Sequence, residues 1–408
     1  MIARESKTTF FRQSGWMMMA STLSGAFMFA VHFLNQKIPK SEYAVLGVLL
    51  TFVIWLQIPT IGVQSVFAQQ AAAALTDSDR RKLAGRVRDV VRYSFWIWLG
   101  AAALVFIFRG EILSTLGIAN PAGLWVTLAL ALISLWSPVF TGVLQGQQNF
   151  FWMGWASILN GAGRVCVAVF FVLVLKSFAA GIMLGALCGA LPALLISAWK
   201  THSAWWGPME SMPWKPWLER VVPLTLGLAT TQIMLTFDTI LVRSVFPFQE
   251  SPYYVPIATV GRALVLFTAP LATILFPKVV RNLALAQTSD VLKLTLISTA
   301  VLGVCAAVGL MIVAVPLFKI VFPQYVQIAP LTGVYAWSIL PQALATVLIN
   351  NLLAHERYRS IPFLLVVTMS YVTALTLVHD SFSAVLRVMG GFSLIFFAVS
   401  AFFAWRKQ

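Results

Sequence analysis

The chain has 408 residues, 60% hydrophobic and 10% charged, with 28 Lys and Arg against 13 Asp and Glu. Soluble domains carry roughly 25% charged residues, so this composition excludes a water-soluble core and describes an integral membrane protein. The net charge of +15 comes with no zinc spacing and no folded basic domain, which argues against a nucleic-acid partner and leaves membrane lipids with anionic head groups as the simpler counterpart.

Apolar stretches near the twenty residues that cross a bilayer as helix recur along the whole chain. They divide it into twelve spans, at 14–36, 42–69, 93–108, 121–147, 151–175, 177–199, 221–246, 252–277, 291–317, 328–354, 360–379 and 382–404. The first has no small-residue cleavage site behind a short apolar core, so it reads as a retained helix. After the second, LTDSDRRKLAGRVRDVVRYS places Leu83, Val87, Val90 and Val91 on one helical face with arginines around the others, and Thr76 with Asp79 makes a capping-box pattern. An amphipathic helix lying on the inner membrane surface is expected there. In the sixth span Gly181, Gly185 and Gly189 share one face and allow a neighbouring backbone to approach.

Residues 200–217 break the pattern with four tryptophans suited to the membrane interface and with prolines that stop a continuous helix. The expected architecture is therefore an all-α polytopic membrane protein of about twelve transmembrane helices. It has a six-helix lobe at 1–199, a linker at 200–217 and a second six-helix lobe at 218–408. At an offset of 211 residues Tyr43 matches Tyr254 and Pro59 matches Pro270, and six spans per lobe make the two copies a parallel repeat. Basic loops stay on the cytoplasmic side. One side collects 19 of the 28 Lys and Arg, including both terminal segments, the loop from Arg80 to Arg92, and Lys278 with Arg281. Both termini are expected in the cytoplasm.

Catalytic and cofactor chemistry finds no foothold. There is no phosphate-binding G-x-x-x-x-G-K-[ST] loop, the four histidines are scattered without a carboxylate cluster, and Glu111, Glu250 and Asp380 sit in separate short loops. The chain reads as a transporter without resident cofactor or metal.

The informative residues are the ionisable ones inside spans, where a charge costs about 2.5–3.5 kcal/mol even on the lenient insertion scale. Asp238 is the one acid deep in any span; Arg164 lies midway along the fifth, Arg243 in the outer part of the seventh and Arg262 near the middle of the eighth. Three readings stand. Asp238 and Arg262 form a structural ion pair across adjacent helices; or the arginines line a hydrated cavity for an anionic head group, since guanidinium matches phosphate oxygens bidentately; or Asp238 centres a proton or sodium relay. Arg243 and Arg387 can also snorkel to the outer surface.

The stretches TGVLQGQQNFFWMGWASILNGAGRV (141–165), FDTILVRSVFPFQESPYYVPIATVGRALVLFTAPLATILFPKVVR (237–281) and LNQKIPKSEYAVLGVLLTF (34–52) resemble bacterial polysaccharide transporters. These form the O-antigen flippase-like branch of the multidrug/oligosaccharidyl-lipid/polysaccharide (MOP) exporter superfamily. The twelve-span layout extends the resemblance over nearly the whole chain. It implies a flippase of the bacterial inner membrane that moves an undecaprenyl-diphosphate-linked oligosaccharide between leaflets by alternating access, with polysaccharide-assembly proteins as partners. It also implies a cationic cavity in which basic residues engage the lipid diphosphate, with Asp238 at the acidic position of the seventh helix and Arg262 at the basic position of the eighth. Two departures are visible: Ala44 follows Tyr43 where the family usually has glycine, and the first span lacks the central arginine of the lipid II branch. The second argues against lipid II as substrate.

Substrate-binding residues are thus expected among Arg164, Arg243, Arg262 and Asp238. Coupling to the membrane potential, to H+ or to Na+ stays open. Moving a dianion outward across an inside-negative potential of roughly 100 mV would release about 4–5 kcal/mol, an expectation that collapsing the potential in vesicles would test. The alternatives are a cation-coupled multidrug exporter of the same superfamily, which would need acids in the spans of both lobes, and a membrane enzyme acting on lipid-linked sugars, which would need a large catalytic outer loop.

Overall fold

In hydrocarbon no water satisfies a backbone N–H or C=O, so a spanning segment must close its hydrogen bonds within itself or around a barrel. The computed structural model describes residues 7–31, 34, 38–115, 120–210, 214–247, 250–285 and 290–406, and among these the chain takes the helical solution, with short 3-10 turns and no strand. Ten helices among the described residues are long and apolar enough to cross a membrane by length and composition. Two further long helices, α1 (Lys7–Ala30) and α2 (Lys40–Ala73), precede them.

The chain divides into two compact units, Met1–Val221 and Val222–Gln408. The first holds α1, α2, α3 (Asp77–Ile107), α4 (Arg109–Thr115), α5 (Ala122–Gly146), α6 (Phe150–Leu173) and α7 (Phe178–Lys200). From Val222 within α8 (Trp214–Val245), the second unit continues with α9 (Ser251–Gly261), α10 (Ala263–Ala284), α11 (Val291–Val321), α12 (Pro330–Ala354), α13 (Ile361–Leu377) and α14 (Phe382–Trp405). With α3–α4 and α9–α10 each taken as one span, both units repeat one pairing scheme: second span on fourth, third on fourth, fourth on sixth and fifth on sixth. The internal repeat, faint in sequence, is explicit in these partnerships.

Packing within the lobes follows from the solvent too. Lipid tails are as apolar as leucine, so helices associate through close van der Waals contact, which small residues permit. Gly185 and Gly189 of α7 lie against the α6 backbone at Arg164 and Asn160, and a Cβ at Gly189 would overlap the Asn160 carbonyl oxygen. In the second unit α12 is the hub, packed on α9, α10, α11 and α14. The apolar windows of α9–α10 and α12 are 72% and 67% buried, against 22% for α11 and α14, so the interior of this lobe is built from the eighth and tenth spans.

Three expectations change. The arginine-rich segment and the third span are one continuous 31-residue helix, not a separate helix on the membrane surface; its start carries the capping box, Thr76 Oγ1 accepting from the Asp79 N–H at 3.2 Å and the Thr76 N–H donating to Asp79 Oδ2 at 3.3 Å. Its apolar face, Leu83, Val87 and Val90, is buried by protein. Arg86, expected among the outward arginines, is buried with that face. Lys278, expected in a loop, sits inside α10 at 1% exposure, because α10 runs a turn and more past the predicted end of the eighth span.

Candidate functional site

Asp238 reaches the interior of the second lobe from α8 and is fully buried. A carboxylate there needs donors on both oxygens, since burying a charge is tolerated only when it is paired and hydrogen-bonded. The fold supplies three. Arg262, at the junction of α9 and α10, donates from Nη2 to Oδ1 at 2.6 Å; Tyr254 of α9 donates its hydroxyl to Oδ2 at 2.8 Å; Tyr335 of α12 donates to the same oxygen at 3.0 Å. Arg262 is held in turn: Nη2 also donates to Thr239 Oγ1 at 2.5 Å, and Nε donates to the Tyr335 hydroxyl at 2.9 Å. The Tyr335 oxygen therefore accepts from the arginine while donating to the acid, a three-membered circuit in which each link polarises the next.

Local sequence explains the convergence. The eighth span interrupts its helix at Gly261–Arg262, and a Cβ on Gly261 would overlap the Tyr335 ring. The bare backbone lets that ring lie against the junction, bringing its hydroxyl within reach of both ions. Tyr254 is flanked by the rings of Phe382, at 5.4 Å between centroids, and Tyr335, at 6.3 Å, so neither phenol is free to swing away. Tyr371 of α13 is fully buried too, its hydroxyl without an acceptor among the described residues.

The two ions differ in access. Asp238 has no exposed side-chain surface, whereas Arg262 keeps 19% of its own. Its Nη1 takes part in none of the bonds to Asp238, Thr239 and Tyr335. The arrangement is a neutralised cation whose acid is sealed while part of the arginine side chain stays accessible.

Of the four residues singled out by sequence, the structure joins Asp238 and Arg262 in direct contact. Arg164 belongs to α6 in the first lobe, half-buried, with its Nε lacking a hydrogen-bond partner among the described residues. The Arg243 side chain lies outside the described residues. Arg387 is exposed near the start of α14 and donates from Nε to its own helix at Ser383 O, 3.4 Å away. Thr239, Tyr254 and Tyr335 escaped the sequence reading as site residues. Tyr254 alone left a trace, as the repeat partner of Tyr43.

Residues 99–406, three quarters of the chain, match the family model described as lipid II flippase MurJ. No curated protein matches the sequence. Among solved structures, a mutant of the MATE transporter VcmN from Vibrio cholerae superposes with a TM-score of 0.77 at 14% identity, covering 97% of this chain and 95% of that one. A MOP superfamily transporter from Pyrococcus furiosus superposes with a TM-score of 0.70 at 13% identity, over 97% and 94%. The structural likenesses establish the fold of two six-helix lobes, and the family match over residues 99–406 establishes membership of the superfamily. The branch differs from the sequence expectation: the matching family model is that of the lipid II flippases, although the first span lacks that branch's central arginine, and the O-antigen branch finds no support of its own.

Proposed function

Because the chain belongs to the MurJ family of lipid II flippases, we propose that it carries a lipid-diphosphate-linked glycan from the inner to the outer leaflet of a bacterial cytoplasmic membrane by alternating access, with Arg262 receiving the diphosphate. The observation that supports this most directly is the asymmetry of the Asp238–Arg262 pair, a sealed acid paired with a partly accessible arginine. An unloaded anion site in a low-dielectric lobe cannot keep a bare cation, so Asp238 balances it. A diphosphate arriving at the accessible part of Arg262 offers oxygens in the geometry guanidinium pairs with best. As the substrate draws charge from Arg262, the hydroxyls of Tyr254 and Tyr335 keep Asp238 satisfied, so the acid does not have to follow the arginine. Neutralisation by Asp238 between loads also keeps affinity low enough for release.

The test is translocation of a lipid-diphosphate-linked sugar in vesicles reconstituted with Arg262→Ala, with Arg262→Lys as the charge-keeping control. A hydrogen bond to a charged group contributes about 1.5–3 kcal/mol, so the alanine variant should translocate at least about tenfold more slowly, and lysine, lacking the planar fork, should recover only part of the rate. Translocation at the unsubstituted rate in Arg262→Ala, with the protein correctly inserted, would remove Arg262 from the site. Competition between a peptidoglycan-type and a surface-polysaccharide-type lipid-linked sugar in the same vesicles assigns the glycan.

A further inference from the structure

Arg86 is 1% exposed, and its Nε, Nη1 and Nη2 are all buried without an acceptor among the described residues. Its guanidinium instead lies 5.7 Å from the ring centroids of both Trp214 and Trp217. Aromatic faces attract a cation, but they accept no conventional hydrogen bond and leave five N–H donors unspent.

The setting of this group is built by the linker. Residues after α7 are strapped along the first half of α3: Arg88 donates to the carbonyls of Trp205 at 2.6 Å and Gly207 at 2.7 Å, and Arg81 bridges Glu210 at 2.8 Å. The Glu210 N–H donates to the Arg81 carbonyl at 3.2 Å. Trp214 and Trp217, at the start of α8, face Arg86.

One turn back along the same face of α3 there is a pocket of ≈ 130 Å³, lined by Gln70 of α2, Asp79 and Lys82 of α3 and Arg220 of α8, with small alanines between them. Gln70 Nε2 is a second buried donor without a partner among the described residues. The carboxylate of Asp79 is engaged with Thr76, which donates to it from Oγ1 at 2.6 Å and from its N–H at 3.3 Å. The lining and its neighbour thus offer three cations, Lys82, Arg86 and Arg220, and an amide donor, all within the first unit. Cationic side chains and a buried amide donor around a cavity of this size are complementary to a tetrahedral anion.

We propose that this pocket is a phosphate-binding site, taking the phosphate of an anionic phospholipid head group or free inorganic phosphate, with Lys82 and Arg220 at its mouth and Arg86 as the buried donor behind it. It is separate from the Asp238–Arg262 site and does not depend on the transported substrate.

Thermal unfolding of the full chain tests it in two arms: in detergent with and without inorganic phosphate, and in vesicles of phosphatidylcholine alone or mixed with phosphatidylglycerol. A ligand held well above its Kd should raise the apparent Tm by several degrees, on the order of 5 °C. Stabilisation by both or by inorganic phosphate alone identifies a phosphate site, and stabilisation by phosphatidylglycerol alone identifies the lipid head group. In each case the increment should vanish in Arg86→Leu and shrink in Lys82→Ala, while Lys293→Ala, an exposed lysine of the second lobe, retains it. If Arg86→Leu does not fold, Lys82→Ala and Gln70→Leu carry the test. No increment in either arm, or an increment that persists in the variants, overturns the proposal, since a purely structural Arg86 would shift the basal Tm and leave the ligand increment intact.

Discussion

Arg262 in the second lobe and Arg86 in the first are both arginines withdrawn from water, yet Arg262 donates to Asp238, Thr239 and Tyr335 whereas Arg86 lies against a pair of indoles with no hydrogen-bond acceptor among the described residues. The first charge is neutralised from within, so an incoming anion must compete with Asp238 for it. The second faces two indoles and feels the Asp89 carboxylate on the same helix without a hydrogen bond to it, so an anion would add to its partners without displacing one. Burial alone therefore does not set function: what decides is whether the lobe supplies a hydrogen-bonded counter-charge.

The sharpest way to break the contrast is to make the second lobe resemble the first. Asp238→Ala strands Arg262, and removing one partner of a buried pair typically costs about 3–5 kcal/mol; thermal unfolding in detergent should show it as a large drop in Tm. Adding Arg262→Met should recover most of the loss, because an apolar replacement leaves no charge unpaired. If Asp238→Ala unfolds at the unsubstituted temperature, Arg262 is not relying on its acid and the distinction fails.

A smaller effect comes from the phenols. Tyr254→Phe and Tyr335→Phe each take one donor from a buried carboxylate, for which about 1–3 kcal/mol is typical. Tyr335→Phe should be the more damaging, since its oxygen also accepts from Arg262 Nε. The order of the two unfolding temperatures checks the circuit; equal losses would mean that the Arg262–Tyr335 link contributes little.

The smallest effect belongs to the strap along the first half of α3. The Arg81 guanidinium, by hydrogen bonding, holds the exposed Glu210 carboxyl below the usual carboxylate range. A depressed folded pKa contributes stability that is present above the unfolded value and is lost as pH falls through the folded one, so the strap should loosen only in acid. Protease cleavage within residues 201–210 should accelerate below the ordinary carboxylate range, and Glu210→Gln should flatten that dependence while leaving the Asp238 site unchanged. A cleavage rate independent of pH in the unsubstituted chain would show that the bridge does not hold the strap.

Much of this was legible in the residues. Asp238 was conspicuous as a lone acid in a span, and its pairing with Arg262 was one of the readings left open. Arg86 carried a signal that went unused: it stands three residues after Leu83 and four before Val90, on the apolar face of α3, not on the basic face beside it. Thr239 and Tyr335 could not be picked out, because a hydroxyl in an apolar span has the same appearance whether it bonds its own helix, as Thr268 does, or a buried ion 97 residues away, as Tyr335 does.

By itself the sequence determined the solvent and the class of fold. Composition and span length demand a bilayer, and a bilayer demands that each segment satisfy its own backbone, so helices in two groups of six follow from the spacing of apolar residues alone. Only the tertiary structure decided which charges are neutralised. A salt bridge depends on a few ångströms through space, here 2.6 Å between residues on α8 and at the α9–α10 junction, set by a glycine that admits a ring and by a hub helix that carries its hydroxyl. Residue order along the chain does not contain that distance.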